Sequence, residues 1–342
     1  MKECCEIESV LEQKAKDANR ELLFADYILT REYLFNNIYP EIGSKLPNFT
    51  YHDGSHVINV LDNIYQLLDD AINNISCETL YFICLSTLFH DVGLVYGREE
   101  HQRKIGDIYN SAFGKGNIYK FGNEKIIITK TVEAHSGRSI IDNTNDTLKY
   151  LGNLLGYSEM IDTRKIAAIL RFADELAEGG QRTSDYFIEN NLYPKNTKIF
   201  HRYSQVYRAV ISTKDSRLAI TYNIIFSINA IKDLVIDQDI RLKEFLEFIY
   251  ARIIKIDDER KYCRYYCDWL DSIKEISVDF NFWYDNEYIE IGLFPLVISD
   301  KIVPGDSGRQ IDKLYPAYSY SSIDQILRKC LGKMNGENQY EK

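Results

Sequence analysis

Leu85-Ser86-Thr87-Leu88-Phe89-His90-Asp91 ends the stretch of sequence that decides the fold. From about Glu78 to Asp91 the residues are apolar on nearly all sides of a helix, which predicts a central, buried helix. A charged group at the end of such a helix is costly to bury unless a partner binds it. Imidazole and carboxylate groups together bind divalent transition metals, so this dipeptide predicts part of a metal site.

The other groups that can bind a metal lie on separate predicted helices. Five of the six histidines fall between His52 and His135. His56 follows the capping turn Asp53-Gly54-Ser55, and Asp174 lies in an apolar helical stretch further along. Because these groups can meet only if the helices bundle, we predict a helical bundle that holds one or two ions of Mn, Fe, Co, Ni or Zn.

Hydrophobic periodicity divides the chain into two halves. In the first half it predicts helices over residues 7–37, 55–68, 78–91, 99–113, 123–135 and 163–178. In the second half it predicts a strand pair at 205–213 and 217–226, a helix at 238–273, a hairpin at 276–284 and 288–294, and a helix at 322–331. The expected fold is therefore mainly α: a helical domain at 1–190 followed by an α+β C-terminal extension at 191–342.

Composition and charge limit the partners. Of the 342 residues, 45% are hydrophobic and 27% charged, which is ordinary for a globular protein with a core. The formal charge of −10 argues against a surface that coats nucleic acid. Between Arg98 and Arg138, however, the sequence contains eight Lys or Arg residues but only five Asp or Glu residues. That segment is either a docking region for a phosphorylated substrate or an ordinary solvated face.

The N-terminus and the cysteines indicate a compartment. Residues 1–6 contain no apolar signal core, and we predict that no stretch reaches transmembrane length. Seven cysteines without framework spacing suit a reducing environment. We therefore expect a cytoplasmic protein with no membrane partner, and a homo-oligomer or a protein partner bound through the C-terminal extension.

The ordered set His…His-Asp…Asp resembles the HD superfamily of metal-dependent phosphohydrolases over approximately residues 45–185. The matching positions are His56, His90, Asp91 and Asp174. The resemblance implies that these four bind a metal. Two structural alternatives stay open: His56 as a surface histidine in a capped turn, and Asp174 as an ion-pair partner of Arg171 or Arg182.

Two further histidines stand where HD proteins with a second metal carry theirs. The HD-GYP phosphodiesterases and the HD nucleases of CRISPR systems have extra histidines between the His-Asp pair and the final Asp. His101 and His135 occupy that interval here, which implies a second metal. A surface location is the alternative for His101.

Tyr51-His52-x-x-x-His56 resembles an element of cyclic nucleotide phosphodiesterases whose first histidine protonates the leaving group. The resemblance implies that His52 is a general acid, a role that suits a group titrating near neutral pH. Asp53 stands where that family has Asn.

The chain also departs from known HD groups. His90-Asp91 is followed by Val92-Gly93-Leu94, where HD-GYP proteins have Ile-Gly-Lys, and the GYP tripeptide is absent. Leu94 replaces the second histidine of the dNTP triphosphohydrolase segment. Arg171, Glu175-Leu176, Gln181-Arg182-Thr183 and the β-containing extension look most like HD proteins with C-terminal extensions from bacterial conflict systems. This resemblance implies a nucleotide or nucleic-acid phosphoester substrate and a role in defence against phage.

The predicted function is hydrolysis of a nucleotide phosphoester or phosphoanhydride by a metal-activated hydroxide, with His52 and Asp91 as catalytic residues. Five cations are candidates for phosphate contact or, alternatively, ordinary surface and structural residues: Arg98, Lys104, Lys130, Arg171 and Arg182. Two other functions stay open. One is a metal-dependent nuclease for short or long single strands, and the other is a nucleotide-binding regulatory module without turnover.

Overall fold

The architecture is a helical region followed by a mixed sheet with helices, which confirms the predicted fold class. This computed structural model describes residues 4–98, 101–113, 122–135, 137–139, 141–229, 232–284, 286–300 and 310–334. Two compact units are present. The first comprises Met1–Ala177 with Glu259–Ser272, and the second comprises Glu178–Asp258 with Ile273–Lys342. The domain boundary near residue 190 stays a prediction.

Together with short 3-10 helices and the end of a later helix, the described part of the first unit contains eight α-helices and one short hairpin. In chain order they are α1 (Glu6–Asp17), α2 (Glu21–Asn37), α3 (Tyr39–Lys45), α4 (Gly54–Leu68), α5 (Cys77–Phe89), α6 (Ile105–Phe113), α7 (Gly122–Glu133), β1 (Asn153–Leu155), β2 (Met160–Asp162) and α8 (Thr163–Leu176). The hairpin of β1 and β2 was not predicted. The single helix expected over residues 7–37 is wrong, because Asn19 adopts a φ of 53° between α1 and α2.

Three of these helices begin at a side-chain cap. The Asp53 carboxylate accepts hydrogen bonds from the backbone N–H groups at the start of α4, and Asp162 does the same for α8. At the start of α5, the Ser76 hydroxyl accepts from the N–H of Thr79. Such caps satisfy backbone donors that a helix leaves free at its first turn, and so they fix where each helix begins.

Helix α5 is the core of the first unit. Every residue from Cys77 to Phe89 except Thr79 is buried, in agreement with the predicted central helix. By length and composition the segment Cys77–Tyr96 would be able to cross a membrane, so the prediction that no stretch reaches that length is wrong. However, 83% of its apolar window is buried inside the protein, and a core helix passes the same test.

The second unit is built around a mixed sheet. Its elements are α9 (Asp185–Glu189), α10 (Lys195–Val206), β3 (Tyr207–Ser212), β4 (Arg217–Ile228), β5 (Leu234–Asp237), β6 (Ile240–Arg241), α11 (Leu242–Tyr266, which ends in the first unit), β7 (Glu275–Tyr284), β8 (Glu287–Ile289), β9 (Leu296–Ser299), α12 (Ile311–Leu314) and α13 (Tyr320–Met334). The strand pair β3–β4 and the hairpin β7–β8 were predicted and are confirmed.

The central pairing of the sheet was not predicted. β4 runs parallel to β7 over ten residues, from Arg217 opposite Glu275 to Phe226 opposite Tyr284. Along most of β4 every second residue is buried, as expected for a strand with one face on the core. A parallel pair requires a long crossover, and the chain between these strands contains α11. Because α11 spans only Leu242–Tyr266, the helix predicted at 238–273 is too long at both ends.

Candidate metal centre

Three helix ends bring four metal-binding side chains together. His56 is in the first turn of α4, His90 and Asp91 follow the last residue of α5, and Asp174 is in the last turn of α8. Each of the four offers one ligand atom, and all four atoms lie within 4.8 Å of one another. These four are the positions at which the sequence matches the HD ligand set, and the other two predicted ligands, His101 and His135, are not among them.

The separations between these atoms suit one shared ion. His56 Nε2 lies 3.1 Å from Asp174 Oδ1 and 3.3 Å from His90 Nε2. His90 Nε2 is in turn 3.3 Å from Asp91 Oδ2. Ligand atoms at 2.0–2.2 Å from a transition metal are about 3 to 3.5 Å apart, so the cluster can hold a divalent ion. Two imidazole nitrogens and two carboxylate oxygens favour Mn, Fe, Co, Ni or Zn over Ca.

Burial and charge set the protonation of the metal-free cluster. Burial opposes the positive charge of His90, but Asp91 beside it and Asp174 raise the pKa of His90 to about 9. Burial likewise opposes ionisation of Asp91, yet the neighbouring histidines, His90 first, hold the pKa of Asp91 well below its usual range. The pKa of Asp174 is also lowered, against the effect of burial, by His56 and His90. The carboxylates therefore stay ionised and ready to bind a cation.

Four histidines in this region are oriented in the same way. The Nδ1 atoms of His52, His90, His101 and His135 lie 2.6, 2.7, 2.6 and 2.5 Å from a backbone carbonyl oxygen two or three residues earlier. A carbonyl only accepts, so each Nδ1 carries the proton and each neutral ring keeps Nε2 as its acceptor nitrogen. Hydrogen bonds of this kind fix the tautomer and the ring orientation of metal-binding histidines.

His52 lies beside the cluster. Its Nε2 is 4.0 Å from Asp91 Oδ2, and its ring centroid is 5.6 Å from that of His56. Its side chain is 11% exposed, so it is partly open to solvent, whereas His56 is fully buried. This position fits the predicted proton donor, and the role itself stays a prediction.

His135 packs against His90. It follows α7, is almost fully buried, and its ring stands perpendicular to that of His90 with centroids 5.5 Å apart. Burial and the charge of His90 lower the pKa of His135. The described geometry therefore brings His135 next to the cluster, although it is not one of the four residues within 4.8 Å of one another.

The turn that carries His101 contacts the turn after Asp91. A Cβ atom placed on Gly93 would lie 1.8 Å from the His101 carbonyl oxygen, so only a residue without a side chain allows this approach. His101 is partly exposed and, like His135, stands outside the group of four. Binding of a second metal by His101 and His135 stays a prediction.

Of the five cations predicted to contact phosphate, three have side chains that are exposed or partly exposed. Arg98 and Lys130 are exposed; the guanidinium of Arg98 lies 4.7 Å from the Phe49 ring centroid. Lys104, partly exposed, is 3.4 Å from Asp107. Substrate contact by these residues stays a prediction.

The other two cations predicted to contact phosphate, Arg171 and Arg182, each form an ion pair with a glutamate. Arg171 makes a bidentate ion pair with Glu259 and not with Asp174, so the alternative pairing considered for Asp174 with Arg171 is not the one observed. Arg182 is a buried residue of the second unit, with Nη1 3.3 Å from Glu178 Oε1. Their contact with substrate is untested, and these ion pairs give both residues structural partners.

Two supporting residues had no signal in the sequence. The Tyr39 hydroxyl donates to the Leu88 carbonyl and so joins α3 to the end of α5. The Asn63 amide donates to the Ala173 carbonyl, which joins α4 to the turn of α8 that carries Asp174. Asn63 is an ordinary polar residue on a predicted helix and Tyr39 lies just beyond one, and only the fold shows that they contact the segments beside the ligands.

These observations define a helical domain of HD type, since the cluster, which could hold a metal ion, fits an HD site. A sequence model of the HD-CE family matches residues 46–249, more than half of the chain. The chain belongs to this family. The match begins before α4 and continues past residue 190 into α11. No curated protein and no solved structure matched the chain. The resemblance to the HD superfamily is thus confirmed, and the closer likeness to conflict-system proteins stays a prediction.

Proposed function

We propose that the chain is a divalent-metal-dependent phosphohydrolase that acts on a nucleotide phosphoester or phosphoanhydride. An HD-type domain with this cluster suggests a hydrolase. The observation that carries the proposal is the meeting of two imidazoles and two carboxylates within 4.8 Å at three helix ends. Four such groups are costly to bury together without a cation, and a metal ion satisfies all four.

The four residues have distinct parts in this proposal. His56 and His90 would bind the ion through Nε2, and Asp91 and Asp174 each through one carboxylate oxygen. The ion, when bound, supplies Lewis acidity toward a phosphoryl oxygen and lowers the pKa of a water molecule. The His90 ring is held for this task by its Nδ1–H bond to the Thr87 carbonyl, 2.7 Å away.

His52 supplies the proton that the leaving group needs. Its Nδ1–H is donated to the Thr50 carbonyl at 2.6 Å, so Nε2 is the nitrogen on the Asp91 side. At 4.0 Å from Asp91, Nε2 is near the cluster without being one of its four ligand atoms. In the imidazolium form of His52 the second proton is on Nε2, where it is available to the departing oxygen.

Small nucleotides are the proposed substrate class. A formal charge of −10 disfavours a long basic path for nucleic acid, while the cation-rich segment from Arg98 to Arg138 suits a compact polyphosphate. A cytoplasmic location, the absence of a membrane partner, an oligomer or partner formed through the C-terminal extension, and a defence role remain part of the proposal. The defence role rests on the sequence resemblance alone.

The test is a hydrolysis panel on the full chain with each of the five metals. The substrates are dNTPs, NTPs, cyclic nucleotides and single-stranded DNA or RNA, and metal content is measured by elemental analysis. We expect the wild type to bind metal and hydrolyse one nucleotide class, and the His90→Ala/Asp91→Ala variant to lose both properties. His201→Gln is the matched control, because it replaces a buried histidine of the second unit that contacts Thr183.

Each outcome of the panel decides between the candidate functions. Cleavage of single strands in preference to mononucleotides would replace the proposal by the nuclease. A metal-loaded wild type that hydrolyses no member of the panel would replace it by the regulatory module. Equal metal content in the wild type and the double variant would refute the metal site itself.

A further inference from the structure

One turn of α8 before Asp174, the side chain of Arg171 contacts a segment that comes much later in the chain. Arg171 Nε and Nη2 donate to the two carboxylate oxygens of Glu259, at 2.5 and 2.7 Å. Glu259 begins the segment Glu259–Ser272, which belongs to the first unit but lies beyond the HD-CE match at residues 46–249. The family match alone therefore does not include every residue that supports the site.

Several contacts fix the geometry of the ion pair between Arg171 and Glu259. The side chains of Arg171 and Glu259 are only 12% and 14% exposed, so solvent screens their attraction weakly. The guanidinium also lies over the Tyr262 ring, 4.9 Å from its centroid. Burial opposes the charge of Arg171, yet Glu259 raises its pKa, so the guanidinium stays charged. A planar fork with several fixed donors specifies orientation in a way that a lysine ammonium does not.

The third contact of Arg171 leads to the turn that carries His135. Arg171 Nη1 donates to the Thr147 hydroxyl oxygen at 3.0 Å, and that hydroxyl donates its own proton to the Ala134 carbonyl at 2.6 Å. The residue after Ala134 is His135, whose ring packs on His90. A hydroxyl can accept and donate at once, so Thr147 connects the arginine to the histidine turn.

We infer that Glu259 is a positioning residue for the metal centre. Through Arg171 and Thr147 it fixes the Ala134–His135 turn, and through Arg171 alone it fixes the turn of α8 that presents Asp174. Residues three apart on a helix lie on neighbouring faces, so a rotation of α8 that misplaces Arg171 also misplaces Asp174. The inference rests on the proposed function only in taking the cluster as the active site.

The test compares two ion pairs that both join α8 to the segment Glu259–Ser272: the buried pair of Arg171 with Glu259 and the exposed pair of Lys165 with Asp268. Glu259→Gln and Thr147→Val each break the connection with little change of volume, and Thr147→Ser retains the hydroxyl. Asp268→Asn is the matched control: Asp268 pairs with Lys165, so it also joins α8 to the segment Glu259–Ser272, but at an exposed site. The measurements are Mn²⁺ affinity of chelator-treated protein by calorimetry and the side-chain ¹H–¹⁵N NMR signals of the histidines.

We expect Glu259→Gln and Thr147→Val to weaken Mn²⁺ binding by about tenfold, the lower end for residues that orient metal ligands. Both should shift the His135 resonances, and the double variant should be no worse than the more affected single variant. Thr147→Ser and Asp268→Asn should resemble the wild type.

Two results would overturn the inference: lowered thermal stability with unchanged Mn²⁺ affinity and His135 resonances, or equal effects from Asp268→Asn. Neither depends on turnover, so both are distinct from failure of the proposed hydrolysis. Should Glu259→Gln not fold, the comparison of Thr147→Val with Thr147→Ser decides the matter.

Discussion

Protonation of His90 is expected to stabilise the metal-free protein in a defined pH range. The imidazole is completely buried, with Asp91 Oδ2 at 3.3 Å and Asp174 Oδ1 at 3.8 Å from Nε2. These carboxylates raise its pKa from 6.5 to about 9, although burial alone would lower it. In the unfolded chain the same imidazole has no such partners, so folding and protonation are linked.

The sign and size of the effect follow from this shift. Because the pKa is higher in the folded state, the contribution is fully present below pH 6.5 and is lost as the pH rises through about 9. The difference of roughly 2.5 pKa units corresponds to about 3 kcal/mol of unfolding free energy. The depressed pKa of Asp91 describes the same ion pair from its other side, so its contribution is not added to this figure.

The assay is urea unfolding of chelator-treated wild type and His90→Asn at about pH 6 and about pH 10. We expect the wild type to lose about 3 kcal/mol more than the variant over this range, because groups common to both proteins cancel in the comparison. Added Mn²⁺ should reverse the trend in the wild type, since metal binding needs the neutral imidazole. Equal pH dependence of the two metal-free proteins would refute the reasoning.

Three further predictions concern single residues. His52→Ala should keep its metal and fold but hydrolyse the nucleotide substrate roughly 100-fold more slowly, with a much smaller loss on p-nitrophenyl esters, whose leaving group needs little protonation; normal nucleotide turnover would exclude the general-acid role. Gly93→Ala should lower the unfolding free energy by about 1–3 kcal/mol in urea titrations, because its Cβ would clash with the His101 carbonyl, and unchanged stability would contradict that contact. If the site is binuclear, His101→Ala and His135→Ala should each lose about one equivalent of metal by elemental analysis, whereas a single equivalent in metal-replete wild type would count against a second ion.

The four clustered residues were predictable because their signals are local. His90 and Asp91 end a run of apolar residues, so their burial and the need for a partner follow from a few neighbouring positions. Asp53 caps α4, as the sequence indicated, and thereby fixes the helix turn that carries His56. The order of the pieces along the chain then supplied the resemblance to HD proteins. None of these steps required knowledge of how distant segments pack.

Features that depend on distant contacts were missed. The pairing of β4 with β7 joins residues 58 apart, such as Arg217 and Glu275, and hydrophobic alternation marks each strand without naming its neighbour. The break at Asn19 was missed for a different reason: it is a local change of backbone conformation, with the Arg20 N–H bonded to the Ala15 carbonyl, inside an otherwise helical pattern. Glu259 and Arg171 are 88 positions apart, and neither has a sequence feature that points to the other.

The arginine case shows why a cation close to a ligand in sequence need not face the substrate. Arg171 was one of the phosphate candidates and stands three residues before Asp174, yet its guanidinium donates to Glu259 and Thr147 inside the protein. Arg98 differs, because its side chain is exposed while its carbonyl accepts the His101 Nδ1–H. Since His101 contacts Gly93, two residues after Asp91, the Arg98 carbonyl that binds His101 also lies near the His-Asp pair. Exposure combined with this placement makes Arg98 the stronger candidate for contact with a substrate phosphate.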